Sequence, residues 1–599
     1  MNRLAAYVFW EKDGIVREYV VRYIKGLTEV ASKVYVVANG EIQPEGKRRL
    51  EEECGAVVLQ RPNVGVDFWA YKTALDQEGD AISDYDEIIL CNCSCYGPVY
   101  PFSEMFDEMA GRQVDFWGIT EWPTDADGFK GTWILSYFFV FRPHLFLSPE
   151  WAWYWKNLSE VHSREECIEK HETQFTAYFA DKGFTYDVYC PNLPGYLDMT
   201  IEAPDELVVE QRCPLIKRKA FCTDYDRFLS YHRGTASRRV FDYIRDHHLY
   251  DTDIIVDDML ATQHGAYLKD CLQLDYVLST RHGEPLARQP RVAALCYLTQ
   301  EELLDESFRY LLSMPAYADL YIVTDSDELA GVIREKAVSY RFASCRVSVM
   351  TPVGGAVEAL LLTARESLTD YDYVCAIHDG QLPDPPVGHI SEEIRRFSTE
   401  ALLASSVYAA NILAVFENNP RLGVLIPMNA LHSTYRARYG QEWGLNYDGT
   451  VKLLERAGVS VPISPAVPPL SPMEAMFWFR PACLDRLLKL ELSDADFKAG
   501  NPDGSLYHNI LRAIPFFAQD AGFLTGQVIS VEGAENHIIN LAYLLGKANA
   551  ALLSGSNRVY VPMEVNIGLK RSLKEYLKKH LPARAVSVLR RMYHWLPGR

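Results

Sequence analysis

Near the amino terminus the hydrophobic positions switch period and switch back. Leu4–Phe9 is a continuous apolar run of strand length. Val16, Val20, Tyr23, Ile24 and Leu27 then recur at helical spacing, and Val34–Val37 is again a continuous run, ending at Asn39-Gly40. Unbroken apolar runs predict strands covered on both faces, so strand–helix–strand here predicts a parallel α/β sheet. A third run, Ile88-Ile89-Leu90, follows the polar pair Tyr85-Asp86. It leads into Asn92 and Ser94, then a turn at Gly97-Pro98. Between these runs, Pro62–Asp67 precedes the helix-like spacing of Phe68, Ala70, Tyr71, Ala74 and Leu75. Ligands of open α/β sheets bind outside the carboxyl ends of strands. The loop Asn63-x-Gly65-x-Asp67 and the segment Asn92–Ser94 are therefore the first candidates for binding a nucleotide, a metal or a sugar.

The same pattern returns in the second half. Arg291–Leu298 reads as a strand, and Leu303, Leu304, Phe308, Leu311 and Leu312 as a helix face. Leu320–Val323 is a strand ending at Thr324-Asp325-Ser326. Tyr85–Ser94 matches Tyr371–Gly380, Ser136–Pro143 matches Glu474–Pro481, and Phe175–Phe184 matches Ala513–Phe523, all in one order. The period is far longer than that of solenoid repeats, so two copies of one α/β domain are predicted. The copies differ in chemistry. The second has Pro352–Ala356 where the first has Asn63–Asp67, Leu511 in place of Glu172, and His378-Asp379 in place of Asn92-Cys93. The first copy keeps the titratable groups that catalysis needs. Residues 191–288 read as a helical, charged connector, with Pro285 and Pro290 marking its end.

Composition narrows the function. The 599 residues have a net charge of -20 and a pI of about 5.3, which argues against general nucleic-acid binding. No window approaches the length of an apolar membrane span, and the amino terminus reads as a first strand rather than a signal peptide. Thirteen scattered cysteines do not form a disulfide framework and point to a reducing cytoplasm. Cys91, Cys93 and Cys95 alternate; three thiols can bind a soft metal, but packing is the commoner role of buried cysteine.

Asn63–Asp67, Asn92–Pro98, Asp115–Thr120, Ser136–Phe138 and Pro214–Phe221, with Ile377–Asp379, Leu422–Pro427 and Met476–Arg480 in the second half, resemble the rhamnan synthesis F family of bacterial polysaccharide glycosyltransferases. The resemblance covers nearly the whole chain short of its tail. It implies an α/β chain of two tandem GT-A-like (Rossmann-like) glycosyltransferase domains, 1–190 and 289–568, flanking the helical connector. It also implies a nucleotide-sugar donor, dTDP-L-rhamnose, and a growing cell-wall or O-antigen polysaccharide as acceptor. On this resemblance Asn63, Gly65, Asp67, Asn92 and Ser94 are donor-binding, and Glu172 is the base that deprotonates the acceptor hydroxyl. A Mg or Mn ion would screen the diphosphate through ligands that the sequence does not identify. Where the family has Asn-Asp-Ser, this chain has Asn92-Cys93-Ser94, and a lysine that follows His-Asp in the family's second copy is Gly380.

Each residue also has a plainer role. Asp67 can simply face a helix N-terminus, worth about 0.3–1 kcal/mol; Glu172 can be one solvated acid among Glu165, Glu166 and Glu169; Asn92 and Ser94 can be turn formers. Trp122 and Trp133 bracket a loop, 123–132, that would close over an acceptor. With Ser136 and Tyr137 they are the candidate acceptor contacts. His378 and Asp379 are a remnant of a site in the second copy. Residues 569–599 form a basic tail: Lys570–Arg599 holds nine Lys/Arg against one Glu. Two apolar stripes, Leu569 to Leu581 and Val588 to Leu596, make it an amphipathic helical segment suited to an anionic membrane surface. The expected protein is an inverting rhamnosyltransferase, peripheral on the cytoplasmic face of the membrane, acting on a lipid-linked polysaccharide. The alternatives are a non-catalytic glycan-binding scaffold and a transferase using another nucleotide sugar.

Overall fold

The computed structural model describes residues 1–553 apart from 124–131, 223, 224, 226–228, 230–232, 341, 343, 381–387, 433, 434, 438, 499 and 500. The chain divides into two compact units, Met1–Gln273 and Leu274–Arg599.

In the first unit, β1 (Arg3–Phe9), β2 (Lys33–Asn39), β3 (Val57–Arg61) and β4 (Glu87–Asn92) are parallel. Short strands follow: β5 (Cys95–Tyr96), β6 (Phe116–Gly118), β7 (Glu121–Trp122), β8 (Trp133–Ile134), β9 (Phe138–Phe141), β10 (Tyr186–Val188) and β11 (Ile216–Lys217). The main sheet runs β10-β6-β9-β4-β1-β2-β3. β9 lies antiparallel between β4 and β6. The strand order reverses at β1 and β4, where Val8 pairs with Asn92. An open sheet leaves its crevice at such a switch point, so Asn92 stands at the mouth of that crevice. The helix Val66–Glu78 buries Phe68, Ala70, Tyr71, Ala74 and Leu75 against the sheet. There they meet an aromatic core that includes Phe139, Phe141, Trp151, Trp155, Phe175 and Phe179.

The segment expected to be a connector is divided between the units. Residues 191–273 belong to the first, and β12 (Asp275–Leu278) is the edge strand of the second unit's sheet. Within the first unit, β11 pairs antiparallel with β5, setting Lys217 opposite Cys95. Buried charge holds it there. The Arg218 guanidinium donates to Asp258 at 3.0 and 3.1 Å and to Glu11 at 2.7 Å. Tyr96 donates its hydroxyl to Asp258 at 2.6 Å, and Asp258 is 1% exposed. Removing one partner of such a pair costs about 3–5 kcal/mol, because the other charge stays buried and uncompensated.

The second unit repeats the arrangement. Its strands are β13 (Val292–Tyr297), β14 (Asp319–Thr324), β15 (Ser344–Val349), β16 (Tyr373–His378), β17 (Leu422–Pro427), β18 (Phe477–Phe479) and β19 (Leu524–Ser530). The order β19-β17-β18-β16-β13-β14-β15 reproduces that of the first sheet strand for strand, with β12 added at the edge. β18, like β9, is the antiparallel member. Each copy also opens its third-strand helix on a left-handed glycine, Gly65 at φ 79° and Gly355 at φ 57°. At Gly65 a Cβ would stand 2.2 Å from the Trp69 ring, so no side chain fits.

Candidate active site

The site lies where β4, the helix Val66–Glu78 and β11 converge. Asn92 donates its amide to Asp67 Oδ2 at 2.8 Å. The Ser94 hydroxyl and backbone N–H donate to Asn92 Oδ1 at 2.5 and 3.2 Å. The Lys217 ammonium then donates to Ser94 Oγ at 2.9 Å and sits 4.2 Å from the centre of the Tyr137 ring. Four polar side chains thus form one hydrogen-bonded row across the crevice. Burial pushes the Asp67 carboxyl above its usual range; the Asn92 hydrogen bond opposes this, the charge of Glu172 reinforces it, and Lys217 and Arg164 oppose it.

Glu172 approaches the same place from another element. It closes a π-helical turn, Ile168–Glu172, just before the helix Thr173–Ala180. Such turns recur at functional sites, because the extra residue re-aims a side chain. The Ser136 backbone N–H donates to Glu172 Oε1 at 3.1 Å, and the Ser136 carbonyl accepts from Tyr71 at 3.0 Å. Among the described residues Oε2 has no hydrogen-bond partner. A half-buried carboxylate with one oxygen anchored and one free can accept a proton.

The other predicted residues take these places. Gly65 is buried at the head of the helix, while the Asn63 side chain is exposed. Arg61 fixes the loop between them by donating to Asn39 Oδ1 at 2.5 Å and to the Val64 carbonyl at 2.6 Å. Ser136 and Tyr137 are buried, and Tyr137 shares a hydrogen bond with Thr120 at 2.9 Å. Trp122 and Trp133 stack on each other, centroids 5.5 Å apart and planes 10° from parallel. Their hairpin is tied to the helix after Glu172 by Ile134 N–H to Thr176 Oγ1 at 3.0 Å. Residues 124–131 of the bracketed loop, and the basic tail 569–599, lie outside the described residues.

Lys217 is the residue that sequence reasoning missed. Lys217-Arg218-Lys219 reads as a charged helix in a connector, whereas Lys217 ends a short strand. The signal was present in the apolar Leu215-Ile216 before it, which is better suited to a strand than to a solvated helix.

Among the described residues no group of three or more His, Cys, Asp or Glu converges. Burial pushes the Cys93 thiol up to about 12 and Cys95 up to about 11, so both stay protonated. Asn92 Oδ1 is already taken up by Ser94, and a lysine ammonium stands beside the row. Hard cations need several free oxygens, and the donor set here does not fit one.

In the second unit the places of Asp67 and Glu172 are apolar. Leu511 is fully buried in the hydrophobic core, and Val357, two residues after the left-handed glycine as Asp67 is, is 3% exposed. The Asp379 carboxylate is used within the fold, accepting from the N–H groups of Thr299 at 2.8 Å and Gln300 at 3.0 Å. Burial pushes it up to about 6. His378 is pushed down to about 4 by burial, so at neutral pH it is an uncharged ring 3.8 Å from Glu474.

The family match defines this chain as a glycosyltransferase. It belongs to the rhamnan synthesis protein F family, whose model matches residues 34–523. No curated protein matches it. Among solved structures it is similar to a mannosyltransferase from Pyrobaculum calidifontis in complex with GDP-Man and Mn2+, at 12% identity over 51% of this chain and 81% of that one, TM-score 0.26. It is also similar to the glycosyltransferase GlyE of Streptococcus pneumoniae in its apo form, at 12% identity over 63% and 85%, TM-score 0.23. Likenesses of this size carry no argument about substrate or chemistry.

The two shifted groups of the second unit predict opposite pH behaviour. His378 has a folded pKa below its unfolded value near 6.5, so its contribution to stability is lost as pH falls from about 6.5 to 4. Asp379 has a folded pKa above its unfolded value near 3.8, so its contribution is gained as pH falls from about 6 to 4. In denaturant unfolding over that range, His378→Leu is expected to gain on wild type as pH falls, and Asp379→Asn to lose. Parallel pH profiles for the two variants would contradict the assignment.

Proposed function

We propose that the first unit transfers L-rhamnose from dTDP-L-rhamnose to a hydroxyl of a growing cell-wall or O-antigen polysaccharide, with inversion at the anomeric carbon. The observation that carries this reading is the row Asp67–Asn92–Ser94–Lys217 at the sheet's switch point with the free oxygen of Glu172 beside it. The second unit lacks the two carboxylates. Asp67 and Asn92, with the Asn63–Gly65 loop, bind the nucleoside end of the donor, and Ser94 meets its diphosphate. The acceptor oxygen attacks C1 and forms the new glycosidic bond. The bond from C1 to the diphosphate oxygen breaks, its electron pair leaving with dTDP, and the hydroxyl proton passes to Glu172. A Mg or Mn ion, expected from the family resemblance, has no fitting donor set in the row Asp67–Asn92–Ser94–Lys217. The stacked Trp122 and Trp133 lie on the acceptor side, and the second unit supports the polysaccharide or the fold.

Glu172→Gln keeps the hydrogen bond from Ser136 and loses the proton acceptor. It is expected to lower the single-turnover rate of transfer by about 10²–10⁴-fold while leaving donor affinity within about twofold. Unchanged turnover would remove Glu172 from the chemistry.

The basic, apolar-striped tail supports placement on the cytoplasmic surface of the membrane, where a lipid-linked acceptor is held. Deleting residues 569–599 is expected to abolish co-sedimentation with vesicles of anionic phospholipid. Sedimentation equal to that of the full chain would contradict the anchor.

A further inference from the structure

Lys217 and Arg218 are neighbours with opposite circumstances. Arg218 is fully matched, by Asp258 and Glu11. Lys217 is half-buried, and among the described residues no carboxylate forms an ion pair with it. Its contacts are a hydroxyl, Ser94 Oγ, and the face of the Tyr137 ring. Partial burial strips water from an ammonium, and a hydroxyl with a ring face offsets only part of that cost. An anion would offset more.

The place is as informative as the charge. Lys217 reaches Ser94, two residues beyond the end of β4, at the switch point of the sheet. Its backbone is held by the pairing of β11 with β5, and the Arg218 N–H donates to the Ser94 carbonyl at 2.9 Å. The backbone of Lys217 is thus held beside Ser94, the residue its ammonium contacts. Beside the ammonium Asn92 Oδ1 and Ser94 Oγ already accept hydrogen bonds, and the positive charge of the ammonium itself disfavours a cation there and favours an anion.

We propose that the Lys217 ammonium, with the Ser94 hydroxyl, binds the diphosphate of the donor in the place of a divalent ion, so that the first unit binds nucleoside diphosphates without metal. This rests on the first unit being the donor site. A fixed ammonium at the leaving oxygens also stabilises the charge that develops as the bond from C1 breaks, without reorganisation at that moment.

The test is calorimetric titration of the full chain with dTDP and with thymidine, in EDTA and in Mn2+. Wild-type affinity for dTDP is expected to differ by less than about threefold between the two conditions. Lys217→Gln is expected to weaken dTDP binding by about 10–100-fold, the range for a lost hydrogen bond to a charged group, while leaving thymidine binding unchanged. Lys217→Arg is expected to restore most of the loss. Equal thymidine binding separates a lost phosphate contact from a damaged fold. Loss of dTDP affinity by more than about tenfold in EDTA, or a glutamine variant that binds dTDP as wild type does, overturns this proposal and leaves the donor site in place. Failure of dTDP, UDP and GDP to bind in either condition overturns both.

Discussion

Arg218 decides whether the first unit has a site at all. Its guanidinium joins Asp258, from a helix late in the unit, to Glu11, just past β1, while its N–H holds the strand-end loop at Ser94. Without that clamp, β11 would be a two-residue strand far too short to hold itself. Lys217 would then have no fixed relation to Ser94. With Arg17, which pairs with Glu11 and Asp258, the clamp sets two cations against two carboxylates, and the adjacent Lys217 stands outside it, with no ion pair among the described residues. Structure and chemistry are separated between two consecutive residues: one is spent on the fold and the other is left for a ligand.

The two copies show what a shared fold does and does not determine. Their sheets have the same order, their antiparallel strand falls in the same place, and both open a helix on a left-handed glycine. Yet the first aims Asp67 and Glu172 at the switch point, while the second fills those places with Val357 and Leu511. Apolar groups there add to the core, and the remaining polar pair is absorbed: Asp379 is capped by backbone N–H groups and His378 is kept neutral by burial. The second copy has exchanged those two carboxylates for packing.

Much of this was legible in the sequence because it rests on local rules. Continuous apolar runs marked the parallel strands, and their recurrence in fixed order marked the duplication. Asp67 and Asn92 could be singled out because each sits at the end of a periodic element, and Glu172 because of the family resemblance. Two features were not legible. That residues 191–273 complete the first unit, rather than bridge two, depends on Arg218 meeting Asp258 and Glu11, partners 40 and 207 positions away along the chain. The roles of Ser136 and Tyr137 depend on which way a buried segment faces. In the structure Ser136 holds Glu172 through its backbone, and Tyr137 places its ring under Lys217.

In the proposed function one crevice, at the carboxyl ends of β1 and β4, receives the donor. An experimental structure of the full chain with dTDP tests it most directly. The diphosphate is expected against Lys217 and Ser94, the nucleoside toward Asp67, and Glu172 facing the place where the sugar would follow. Nucleotide bound instead at the strand ends of the second unit, or lying away from Lys217 in the first, would contradict it.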